Sequence, residues 1–255
     1  MATLLYEQGD IGAALTASQT AIRGLTDIGD TFGIGRFIHL QSILHYIQAN
    51  YTECIAVSQQ SEALKRKLGD LAGVSGAQNM QVKALLALGR AEEAVRLYQL
   101  TLNTAKTVND ARLLTFTYLV GCDCALAQGD SDVAIQNIQQ AQNGDEQTNS
   151  DQTLHHDLNT HKAWVWLSMG QVERANAALQ DDPLSPKASI EVQLERKVIV
   201  ALCQFASPCA LTDASEMAAK HGYKHHVQVI ARAIEVLQNH MSPASLVAYV
   251  LFGAK

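Results

Sequence analysis

The stretch Ala87-Leu88-Gly89-Arg90-Ala91-Glu92-Glu93-Ala94-Val95-Arg96-Leu97-Tyr98 reads as the end of one helix, a tight turn at Gly89 and the start of another helix. Ala91, Ala94, Val95, Tyr98 and Leu102 form one apolar stripe at helical spacing. The same turn recurs along the chain. Its third residue falls at Gly9, Ala49, Gly89, Gly129 and Gly170, so the period is 40 residues with a single step of 41. Five positions after each turn stands a small side chain: Ala14, Cys54, Ala94, Ala134 and Ala175. A small residue there lets two helix axes approach closely, where leucine would hold them apart.

A second set of marks lies between the turns, at Gly29-Asp30, Gly69-Asp70, Asn109-Asp110 and Ser150-Asp151. Gly or Asn accepts the left-handed conformation that ends a helix, and the following Asp caps the next one. Gly144 and its polar neighbours predict a longer loop over residues 142–149. Between the marks, Ile34, Phe37, Leu40, Leu44 and Ile47 share an apolar arc beside Gln41, Ser42 and His45. The unit is therefore a first helix, a tight turn and an antiparallel second helix.

This pattern resembles the tetratricopeptide repeat, with residues 127–141 matching as well as the opening stretch. The resemblance covers residues 1–182 as five repeats, the first lacking its opening turns, which suggests a fragment of a larger protein. A period longer than the usual thirty-four or so is similar to the extended variant in bacterial signal-transduction ATPase regulators of the maltose-activator type. It implies an all-α, right-handed superhelical solenoid of antiparallel helix pairs. Residues 183–255 lose the register and read as atypical helices, over 189–205, 212–221 and 224–240, capping the same solenoid.

Composition supports a globular, helical chain: 255 residues, 47% apolar, with only 4 prolines. The net charge of −6 comes without a basic stripe, which argues against direct nucleic-acid binding. The first residues lack the pattern of a signal peptide, and the longest apolar runs (198–203 and 245–252) are too short to span a bilayer. Five cysteines show no disulfide framework, so a cytoplasmic location is expected.

Catalytic chemistry finds no support in the motifs, and an enzyme is not expected. Gly33-x-Gly35 lacks the third glycine of a dinucleotide loop, and Cys122-x-Cys124 directs its thiols to different helix faces. His155, His156, Asp157 and His161 are the nearest approach to a metal cluster, but their spacing places only Asp157 and His161 on one face. Neither a metal nor a cofactor is assigned.

In the tetratricopeptide family the first helices line the concave side, which is the usual binding groove. Carried over by register, the inner face runs through Arg36, His39, Ile43 and Tyr46, then Gly76, Asn79, Lys83 and Leu86. It continues through Phe116, Leu119, Asp123 and Leu126 to Asp157, Thr160, Trp164 and Leu167. Aromatic groups, both charge signs and an amide suit a protein or peptide segment. The alternative is a solvated inner wall, and for Trp164 plain burial in the core. Trp166, two residues on, is expected to pack between the helices of its pair. The basic clamp of chaperone-binding members is missing, with only Arg36 and Lys83 as candidates. Three functions remain open: an interaction or sensor module within a bacterial regulator, a stand-alone scaffold or co-chaperone, and a receptor for a small ligand or peptide pheromone.

Overall fold

The computed structural model describes residues 1–148, 152–184, 188–204, 207–239, 241–242 and 246–253. In chain order its helices are α1 (Ala2–Glu7), α2 (Ile11–Asp27), α3 (Thr31–Ile47), α4 (Tyr51–Lys67) and α5 (Leu71–Ala87). There follow α6 (Ala91–Val108), α7 (Ala111–Gln128), α8 (Ser131–Thr148), α9 (Gln152–Ser168) and α10 (Val172–Gln180). Beyond the repeats come α11 (Ile190–Cys203), a 3₁₀ turn (Pro208–Leu211), α12 (Thr212–Lys220), α13 (Lys224–Gln238) and α14 (Val247–Phe252). The described residues include no strand, and none of their helices is long and apolar enough to cross a membrane.

The local rules read from the sequence govern the helix ends. Among the described residues, every repeat turn has its marker residue in the left-handed region, including Ala49 at φ 58° and Asn109 at φ 56°. Asp30, Asp70 and Asp110 cap α3, α5 and α7, accepting from the backbone N–H of Gly33, Gly73 and Leu113 at 2.9, 2.8 and 2.7 Å. Asp10 and Asp130 do the same for α2 and α8. Ser150-Asp151 lies outside the described residues. Ala14, Cys54, Ala94, Ala134 and Ala175 are all 0% exposed, so the recurrent small residue is the floor of each helix pair.

One expectation fails here. No loop begins at residue 142, because α8 continues to Thr148. Gly144 is mid-helix, and a Cβ there would run into Thr115 of α7 and stand 3.3 Å from the Ala111 carbonyl. The glycine serves close approach of two helices, not a turn.

Successive helices pack on one another, and the first helices of neighbouring pairs also touch: α3 on α5, α5 on α7, α7 on α9, α9 on α11. That second set of contacts curves the array with the first helices inside. The C-terminal helices then turn back into this curve. Helix α13 rests on α3 and α11, while α14 lies against α5, α7 and α9. The start of the chain meets them. A Cβ on Gly9 would clash with Ile190 of α11 and stand 2.9 Å from His221, and Gly222 closes on Ile11. One continuous core accordingly includes Ala2 and Ile11 together with Val229, Val247 and Val250.

Candidate functional site

Curvature brings charged groups from four helices to one buried chamber. Lys83 on α5, Asp123 on α7, Asp157 and His161 on α9, and Glu191 and Glu195 on α11 all line it. Tyr6, Tyr46, Ile43, Met80 and Phe116 supply apolar and aromatic wall. The chamber holds about 200 Å³ and shares Tyr6, Ile43, Met80, Phe116, Thr153 and Asp157 with a second, more open cavity of about 470 Å³. His39, Gly76, Asp110 and Arg112 edge that outer cavity.

The geometry fixes several charge states. His161 directs Nδ1 at the Asp157 carbonyl at 2.8 Å and Nε2 at Asp123 Oδ1 at 3.3 Å. Both ring nitrogens face acceptors, so the ring is held as an imidazolium. Burial opposes that charge, but Asp123 and then Glu195 outweigh it and move the group up to about 9. Asp157 is raised to about 7, first by burial and then by the neighbouring Glu191. Lys83 stands 3.9 Å from Glu191 and 5.1 Å from the centre of the Tyr46 ring. Burial works against its charge, yet the surrounding carboxylates, Glu191 first, raise it above the usual lysine value.

A neutral network holds α13 against the turn between α3 and α4. Tyr51 donates to Gln228 Oε1 at 3.0 Å, so its oxygen must accept from His225 Nδ1 at 2.8 Å. His225 Nε2 is then free to accept from the Tyr46 hydroxyl at 3.1 Å. Burial, reinforced by His226 and Lys83, keeps the His225 ring far below its ordinary pKa and thus uncharged.

The ten groove candidates separate by this geometry. Tyr46, Lys83, Phe116, Asp123 and Asp157 meet around the inner chamber, and His39 reaches the outer cavity. Burial lowers His39 to about 4. Arg36 is exposed near the start of α3. Asn79 is buried and donates to Thr117 Oγ1 at 3.0 Å. Thr160 donates to the His156 carbonyl at 2.8 Å and accepts from Arg196 Nε at 3.2 Å. Trp164 is 2% exposed within the main core. Trp166, expected to pack between the helices of its pair, is half-buried against the main core, with the Arg174 guanidinium 4.9 Å above its ring.

The histidines of α9 do not converge. His155 pairs with Asp145, His156 with Asp182 and His161 with Asp123. Sequence reasoning missed Glu191 and Glu195, which lie on α11 beyond the repeat register, and it read His225-His226 only as an adjacent pair that points in two directions. It also missed a buried assembly of Arg196, Asp182 and His156, in which Asp182 accepts from both other side chains. The i, i+4 spacing of Glu191 and Glu195 was the one local signal available for the chamber.

No family model matches the chain, and no curated protein sequence matches it. A solved structure does: a Rap protein in complex with competence and sporulation factor, at 13% identity, covering 99% of this chain and 72% of that one, with a TM-score of 0.76. At that identity the likeness concerns architecture. The chain has the tetratricopeptide-like helical-repeat fold.

Proposed function

We propose that this chain is a receptor-like binding module that takes a short peptide in the chamber and its outer cavity. The observation that carries the reading is the convergence of Lys83, Asp123, Asp157 and His161 from three successive first helices on one enclosed space. Together the two cavities fall in the range of about 300–1,000 Å³ that ligand sites usually occupy. Groups of both signs, already desolvated, suit the amide and terminal charges of a peptide, and the apolar wall from Ile43 to Phe116 suits a side chain. An enclosed space admits an extended segment more readily than a folded partner, which favours the receptor alternative over a scaffold. The Rap protein of similar fold was crystallised with competence and sporulation factor, and this lends the reading support.

Calorimetric titration of the purified chain with a panel of short peptides tests it. Saturable one-to-one binding, weakened at least tenfold by Lys83→Met or Asp157→Asn, is the expected result. Binding that ignores both substitutions would remove the chamber as the site. Membership in a larger bacterial regulator belongs to the same reading.

A further inference from the structure

Glu191 and Glu195 stand one turn apart on α11, and His226 of α13 faces them. One ligand atom from each lies within 4.8 Å of the other two. His226 is 1% exposed, and neither of its ring nitrogens has a hydrogen-bond partner. Its Nε2 lies 3.5 Å from Glu195 Oε1, aimed into the cluster without hydrogen-bond geometry. A buried imidazole with no hydrogen bond at either nitrogen is uncommon, and an ion is one of the few things that satisfies it. Charge points the same way. Four carboxylates (Asp123, Asp157, Glu191, Glu195) share the chamber with two cationic side chains, Lys83 and His161.

We propose that Glu191, Glu195 and His226 form a binding site for a divalent first-row transition ion such as Zn²⁺. Two carboxylates and one imidazole are a donor set suited to Zn²⁺, Co²⁺ or Mn²⁺, whereas the imidazole disfavours Mg²⁺ and Ca²⁺. Bond lengths of about 2.0–2.2 Å require the three donors to draw in slightly, which rotation of the glutamates supplies. Because the glutamates line the 200 Å³ chamber, water or a ligand group can complete the coordination. Lys83, 3.9 Å from Glu191, is the resident competitor and passes to Asp123 and Asp157 when the ion binds. The ion would clamp α13 to α11, joining the last of the inner helices to the returning segment. This site stands independently of peptide binding.

Chelator-treated protein titrated with ZnCl₂ by calorimetry and with CoCl₂ by visible absorption provides the test, with MgCl₂ as control. One Zn²⁺ or Co²⁺ per chain is expected, with loss of binding in Glu191→Gln and in His226→Gln. Removing the competing ammonium in Lys83→Met should tighten binding severalfold, an outcome that a damaged fold cannot imitate. The site is overturned by absence of one-to-one binding in the parent chain, by retention of binding in Glu191→Gln, or by a Lys83→Met variant that binds no more tightly.

Discussion

Lys83 and Glu191 stand 3.9 Å apart, on α5 and α11, although the chain passes through five more helices between them. Their ion pair is half sheltered, so its worth depends on what else surrounds it. Lys83→Met leaves Glu191 facing other carboxylates and should lower stability by about 1–3 kcal/mol, the usual penalty for leaving one buried polar group unpaired. Urea denaturation of the two proteins measures this directly. A loss much below that range would mean solvent already screens the pair.

The floor of each helix pair offers a second measurement. Ala94 is 0% exposed between α5 and α6. Ala94→Leu should destabilise by at least about 1–3 kcal/mol through overpacking. Ala134→Leu and Ala175→Leu should behave alike, since the three sites share one geometry. If thermal unfolding shows Ala94→Leu unharmed, the close approach inferred from the repeat does not limit packing.

These floors were legible from sequence because they obey a local rule repeated five times. The caps and turns were legible for the same reason. The chamber was only half legible: Lys83, Asp123 and Asp157 follow from the register, but Glu191 and Glu195 lie on α11, past the last repeat, where no periodic signal places them. Gly144 shows a different limit. A glycine marks either a turn or a close approach, and only the neighbouring Thr115 decides which. Helical spacing likewise shows that Trp164 and Trp166 diverge, but which one is fully buried depends on helices far along the chain.

Ala49 adopts φ 58° where the equivalent turns use Gly9, Gly89, Gly129 and Gly170. An L-residue in that conformation costs about 1–2 kcal/mol. Ala49→Gly should therefore stabilise the protein, by about 0.5–1 kcal/mol after the greater freedom of glycine in the unfolded chain is subtracted. Thermal denaturation would register a higher midpoint; a lower one would mean that the methyl packing against the Tyr46 and Tyr51 cluster dominates.

Asp182 accepts from His156 Nδ1 at 2.8 Å and pairs with Arg196, all three being buried. Burial alone would raise its carboxyl, but His156 and Arg196 prevail and hold it below the usual carboxylate range. A depressed folded-state pKa gives stability that is present above the unfolded value of about 3.9 and lost as pH falls through the folded one. Asp182→Asn should cost about 3–5 kcal/mol at neutral pH by stranding Arg196. The gap between variant and parent should narrow below pH 4, as followed by denaturant unfolding across pH. A gap that stays constant would show that Asp182 carries no charge in the fold.

The meeting of Gly9 with Ile190 and His221 bears on how the molecule comes apart. An open helical array unravels from its termini, each unit released at little expense to the rest. Here the first turn shares one core with α13 and α14, so neither end of the array is free to peel away by itself. Amide exchange in α2 and α13 should then occur only through whole-chain opening, with the slowest protons spread around the molecule instead of concentrated at its midpoint. Contact between the first turn and the returning helices should make a modular architecture behave as a single cooperative unit.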